Sequence, residues 1–283
     1  TGVTLEQGKR YTLNLKIKTP KFAASNIYWN GQALTFDEYE KTPHAVKQEK
    51  QGVLFKWGSL IGLSVAWVPL KPNNPSTFPQ WNANRAVYVP DSNTANPTWT
   101  KMAAGSTYSD WHNIPFVQGL DSKYGGVRSR YLTAMGADSV AFYKGDICQY
   151  LNSDYRMPSG GELGSYTSQQ ATEDAYSFFM SSTPVRYTYE EGKFLIANGA
   201  TLKINSFYFP ASGYRSLIDP SNPNQTPYGD GEFVNVHEGG YYWSSSPEND
   251  SRANLLTFGY QLTTRLTNEG RGNACSVRCV KKN

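Results

Sequence analysis

Three cysteines and three histidines are the side chains in this 283-residue sequence best suited to act as nucleophiles, bases or soft metal ligands. The histidines, His44, His112 and His237, each stand in text rich in Pro, Asn or Gly, which reads as loop, so no general base is assembled by local spacing. His112, beside Trp111, comes nearest to a catalyst, and a solvated loop histidine is the plainer reading. The sequence has no Gly-x-Ser-x-Gly elbow, His-Glu-x-x-His helix, Gly-Lys-Ser/Thr phosphate loop or Gly-x-Gly-x-x-Gly turn. Cys275 and Cys279 lie close together with Arg278 and Lys281 beside them, a basic setting of the kind that makes a thiol reactive. On one extended strand the two would stand roughly 13 Å apart, beyond the ~7 Å Cα limit of a disulfide. Cys148 is therefore a partner in any disulfide that forms, with either of the other two.

Hard oxygen ligands cluster elsewhere. Asp219, Asn222, Asn224, Asp230 and Glu232 share one loop and suffice in kind for calcium, with Asp219, Asn224 and Asp230 as the core set. Asp and Asn also favour turns for backbone reasons alone, so a metal-free loop with no cofactor is the simpler expectation. Trp81, Trp99 and Trp111 are spaced through residues 69–115, a stretch dominated by Pro, Asn, Ser and Thr that reads as a long irregular excursion. With the polar loop, these tryptophans are the ligand-binding candidates. Trp243 and its neighbouring tyrosines read as core.

The elements that must hold these residues are legible from periodicity. Residues 239–283 read as three consecutive strands. Gly239 to Ser246 is an aromatic run closed by Pro247. After the turn 248–251, Leu256, Phe258, Tyr260 and Leu262 alternate with Leu255, Thr257, Gly259 and Gln261. Beyond the turn 270–273, Cys275, Val277 and Cys279 share one face and Ser276, Arg278 and Val280 the other. The chain thus ends inside its core. Asp146 is the N-cap of a short helix with Ile147, Cys148 and Leu151 inward. Ser159 to Glu162 is a capping box for a helix through Tyr166, and Thr167 to Gln170 starts another, with Ala171, Ala175, Phe178 and Phe179 on one stripe and Pro184 as its stop. Residues 25–31 form a short strand entering a turn at Asn30-Gly31, and the glycines within 55–62 suggest bulges or close backbone approach. Residues 203–209 form a strand broken by Pro210. Tyr11, Leu13, Leu15 and Ile17 alternate with polar residues in an isolated amphipathic strand, so residues 1–18 stand apart from 19–283.

Composition bounds the class. A chain of this length buries about three quarters of its extended surface, so one large domain needs no disulfide to rescue a small core. Basic residues number 27 and acidic 23, for a net charge of +4 without a clustered basic face, which argues against nucleic acid. No run approaches the ~20 apolar residues of a membrane span. The sequence starts at Thr1 with no signal peptide, as expected of a processed or truncated product, any lipid anchor having been removed or lying upstream. Gly (25), Pro (16) and Tyr (20) describe a loop-rich chain with many strand-forming aromatics.

The run Gly-Tyr-Tyr-Trp-Ser-Ser-Ser-Pro (240–247), the alternating strand after it and the terminal Ser-Val-Arg-Cys-Val-Lys (276–281) resemble the end of the FISUMP-type major paralogous domain of Bacteroidetes surface lipoproteins. Residues 55–62, Tyr-Arg-Met-Pro-Ser (155–159) and Phe-Pro-Ala-Ser-Gly-Tyr-Arg (209–215) stand where that family carries similar motifs. Residues 8–15 look like the last strand of the fimbrillin-like domain that precedes it in some pilus subunits. The resemblance implies a C-type-lectin-like α+β fold, loop-rich, with small antiparallel sheets and two or three short helices. It implies a disulfide between Cys148 and Cys279, leaving Cys275 as a buried thiol, and hence an exported, oxidising location.

The expected function is a non-enzymatic adhesion or pilus-tip binding module at the cell surface, with other pilus or surface subunits and a host or microbial glycan or protein as partners. The related formylglycine-generating enzymes supply the alternative, an oxidase using Cys275 and Cys279. Their copper-binding pair has four intervening residues where this chain has three, which on a strand puts both sulfurs on one face. The calcium motifs of C-type lectins are also missing: Trp243 is followed by Ser, and residues 247–250 hold the right residue types in the wrong order.

Overall fold

The computed structural model describes residues 21–36, 52–64, 86–91, 97–102, 114–118, 143–158, 199–202, 207–210, 212–216, 233–234, 239–259 and 265–282. Sixteen strands and one short helix are found among the described residues.

The aromatic run near the C-terminus is strand β12 (Gly239–Pro247), buried along its whole length. A strand buried on both faces must be central, and its alternation sorts the two layers. Tyr241 and Trp243 face the main core with Leu255, Val277 and Phe55. Tyr242 points the other way, its ring 5.1 Å from Phe209 and 6.0 Å from Phe258. Gly240 stands opposite Phe258 on the next strand, and the missing side chain there is filled by the Phe258 ring.

Strand β13 (Arg252–Gly259) pairs antiparallel with β12 and with β14 (Arg265–Gly270). β15 (Ala274–Ser276) lies on the other side of β12, parallel to it at Tyr242↔Ser276, and pairs antiparallel with β3 (Val53–Lys56). From β3 the sheet continues antiparallel through β4 (Gly62–Ser64), β5 (Val87–Pro90) and β6 (Trp99–Met102). β10 (Tyr214–Arg215) pairs with β15 and with β11 (Phe233–Val234), making ten strands in one mixed sheet. Three two-stranded sheets flank it: β1 (Tyr28–Trp29) with β2 (Leu34–Thr35), β7 (Tyr155–Arg156) with β16 (Val280–Lys281), and β8 (Gly199–Leu202) with β9 (Phe207–Pro210).

Several sequence expectations are corrected. The C-terminal stretch holds four strands of the large sheet rather than three, because 265–270 is also a strand, and its last residues leave to pair with β7. The strands join one large mixed sheet rather than small antiparallel ones alone. The excursion 69–115 contains the core hairpin β5–β6: Val87, Tyr88 and Val89 are buried, since a β-branched and aromatic run pairs even when Pro and Asn surround it. The turn at Asn30-Gly31 is present, with Asn30 Oδ1 accepting from the backbone N–H of Gln32 and Ala33 at 2.9 Å each. Gly62 is a close approach, where an added Cβ would stand 2.4 Å from Val53 Cγ1. The predicted helices over 159–166 and from 167, the strand over 11–17 and the boundary at residue 18 lie outside the described residues.

Indole donors tie the layers together. Trp243 Nε1 donates to the Phe55 carbonyl at 2.9 Å, Trp57 Nε1 to Ser244 at 2.8 Å and Trp99 Nε1 to Leu60 at 2.8 Å. The register of β12 shifts between Trp243 and Pro247, and the three serines satisfy the groups this frees. Ser245 N–H donates to the Pro158 carbonyl at 2.8 Å, and Ser244 Oγ donates to the Asn254 carbonyl at 2.7 Å. Arg271, in the turn 270–273, is buried over the Trp57 ring at 4.3 Å. Its guanidinium donates to the carbonyls of Arg252 (3.1 Å) and Asn249. Burial lowers its pKa to about 10, so it remains cationic at neutral pH.

Candidate functional site

The candidate site is a frame that roots the loops singled out from the sequence. Its anchor is the helix α1 (Ile147–Leu151), a single turn too short to stand alone. Asp146 caps it as expected, accepting from Cys148 N–H at 3.0 Å and Gln149 N–H at 3.4 Å. Both of its carboxylate oxygens also accept from Met157 N–H, at 3.1 and 3.0 Å, so one buried side chain fixes α1 and the chain leaving β7. Capping is a local signal; the contact with Met157 is not, and the sequence showed only the first.

Cys148 and Cys279, 131 positions apart in sequence, form a disulfide with Cα atoms 5.6 Å apart, the pairing the resemblance implied. Backbone bonds extend the clasp. Residues 21–23 lie antiparallel to β16, with Ala23 N–H donating to Cys279 O and Lys281 N–H to Lys21 O, both at 2.8 Å. Lys282 N–H donates to Asp154 O at 2.7 Å. The terminal strand is therefore interior, joined to the helix and to the incoming chain.

Burial pushes the Asp146 carboxyl above its usual value of 3.8, outweighing the donors from Gln149, Met157 and Cys148 that favour the charged form. The folded state then holds this proton more tightly than the unfolded chain. Its contribution to stability is full below about pH 3.8 and is lost as pH rises through the folded value. Urea unfolding over a pH series should show wild-type stability falling relative to Asp146→Asn across that window and constant above it. A difference that does not change with pH would contradict the shift.

Cys275 is a fully buried thiol opposite Phe55. Desolvation, and then the negative charge of Glu269, push its pKa well up, so it stays protonated and unreactive. The basic setting expected from Arg278 and Lys281 does not reach it. Arg278 points to the opposite layer, over the Phe209 ring at 4.7 Å, with bonds to Asn26 Oδ1 (3.2 Å) and Ala24 O (2.8 Å). Lys281 is exposed at the clasp. The Tyr242 hydroxyl, whose pKa burial raises, donates to Pro210 O at 2.5 Å and accepts from Asn26 Nδ2 at 3.1 Å. This buried polar group locks β12 to the last residue of β9 and to Asn26.

Of the tryptophan candidates, Trp99 is a core residue, 6% exposed with its N–H committed to Leu60, so its ring is not offered to a ligand. Trp81, Trp111, Asp219, Asn222, Asn224, Asp230 and Glu232 lie outside the described residues; the described strands fix where the chain leaves the sheet on either side of them. β4 ends beside the start of β5, with Ser64 N–H donating to Ala86 O at 2.9 Å, and Val87 is paired with Met102 at the end of β6. The segments carrying Trp81 and Trp111 therefore leave the sheet at one end. The segment carrying Asp219 to Glu232 is bounded by β10 and β11, at Arg215↔Phe233 and Arg215↔Ala274. Ala274 pairs with Lys56, the end of β3 away from Ser64, so the two sets of candidates are rooted at opposite ends. Among the described residues, no group of three His, Cys, Asp or Glu is placed to hold a metal ion, and no helix is long and apolar enough to cross a membrane. Compared with protein-family models, with curated proteins and with solved structures, the chain matches none.

Proposed function

We propose that this chain is a non-enzymatic binding module of an exported cell-surface or pilus-associated assembly, a C-type-lectin-like scaffold whose loops recognise a glycan or protein. The observation that carries this reading is the Cys148–Cys279 disulfide. It belongs to an oxidising compartment. It staples the terminal strand to α1 as the resemblance implies, and it engages Cys279, one of the two thiols the oxidase alternative requires. Rigid strands with loops rooted at both ends are the arrangement on which binding surfaces sit.

A glycan array read with calcium and again with a chelator tests the reading. Signal that survives in Cys275→Ser and falls in Trp81→Ala, Trp111→Ala or Asp230→Asn supports a loop-borne site, and chelator sensitivity assigns calcium to the 219–232 loop. Copper bound by the reduced protein, with oxidation of a substrate thiol that Cys275→Ser abolishes, would instead establish the oxidase.

A further inference from the structure

The clasp carries two positive charges where strand pairing disfavours them. Phe22 is bridged antiparallel to Val280, and Lys281 N–H donates to Lys21 O at 2.8 Å, which sets Lys21 directly opposite Lys281. On its other side Lys281 pairs with Tyr155 of β7. Lys21, Lys281 and Tyr155 thus form one rung across three strands, on one face, spanning about 10 Å at the usual strand spacing. Residues so paired have Cα atoms about 5.5 Å apart, and like charges there are destabilising.

Both lysines are exposed, and neither ammonium has a hydrogen-bond or ion-pair partner among the described residues. Lys282, by contrast, has its Nζ on Gln149 Oε1 at 2.6 Å. Tyr155 is half-buried and held from behind by Phe36, ring centroids 4.8 Å apart, so it is a fixed aromatic edge beside the two charges. Two opposed ammonium groups can close on the two oxygens of one carboxylate, and a tyrosine beside them offers a surface to a pyranose ring.

We infer that the Lys21–Lys281–Tyr155 rung is a binding site for a carboxylate-bearing polysaccharide. The inference rests on the binding-module reading and names a ligand class at a place the sequence did not indicate. An anion between the lysines would offset the repulsion of two like charges on paired strands.

The test uses the full chain with polygalacturonate, neutral dextran and vesicles containing phosphatidylglycerol. Binding to polygalacturonate, weakened by salt and absent on dextran, is expected. Lys21→Gln with Lys281→Gln should weaken it at least tenfold while Tm stays level or rises, an outcome that loss of a structural contact would not give. Lys101→Gln, at an exposed position on β6, should bind as wild type. Unchanged affinity in the double variant overturns the rung and leaves loop-borne binding standing. No polygalacturonate binding, or binding to the vesicles instead, overturns it as well. The glycan array decides the broader reading separately.

Discussion

Replacing Cys148 and Cys279 together by serine is expected to cost the folded state about 5 kcal/mol, the chain-entropy value for a loop of this length. A loss of that size rivals the whole stability of an ordinary domain, commonly 5–15 kcal/mol, so the variant should be largely unfolded at 37 °C or denature at a much lower urea concentration. Both cysteines are fully buried, so a reductant reaches the bond only when the clasp opens, and reduction under native conditions should be slow. Thiol counting checks the pairing directly. The native protein should show no reactive thiol, the denatured protein one, from Cys275, and the denatured and reduced protein three. A stability loss below about 1 kcal/mol, within ordinary single-mutation scatter, would mean that the bond adds little to a clasp already held by other contacts.

Gly240→Ala should be the most damaging single methyl in the described sheet. The added Cβ would stand 2.1 Å from Phe258 Cζ and 2.4 Å from its Cε1, distances no carbon pair tolerates. The ring cannot swing aside. It is 1% exposed and stacked against Tyr242, which is itself hydrogen-bonded to Pro210 and Asn26. Overpacking of this kind costs about 3 kcal/mol, read as a shift in urea midpoint at unchanged slope. Adding Phe258→Leu should recover part of the loss, because shrinking the ring removes the clash that the methyl creates. A double variant weaker than the sum of its parts would place the damage elsewhere.

How legible the frame was depended on how far each signal reached along the chain. The capped turn at Asp146 and the turn at Asn30 were readable because each donor and acceptor lies within a few residues. The alternation of Cys275, Val277 and Cys279 against Arg278 was readable because side-chain direction along a strand has a period of two, and those three do share the main core. Trp99 was misjudged because the composition around it suggested loop. Its burial is decided by Tyr88 and Leu60, which the sequence does not mark as neighbours.

Arg271 shows the same limit from the other side. A Gly-Arg-Gly turn carries every local mark of solvent, yet the guanidinium lies on Trp57 and serves carbonyls near residues 249–252, contacts that exist only once β13 and β14 have brought that turn back. Which residues alternate, where short elements begin, and that any disulfide must include Cys148 could all be read from residue order alone. The tertiary structure decided that one mixed sheet collects them, that Cys275 is fully buried, that β5–β6 and β10–β11 are placed at opposite ends of β3, and that Lys21 faces Lys281. The reason is physical: periodicity and capping act over a few residues, whereas burial, register and desolvation depend on partners that the fold alone brings together, from Leu60 beside Trp99 to Lys21 beside Lys281.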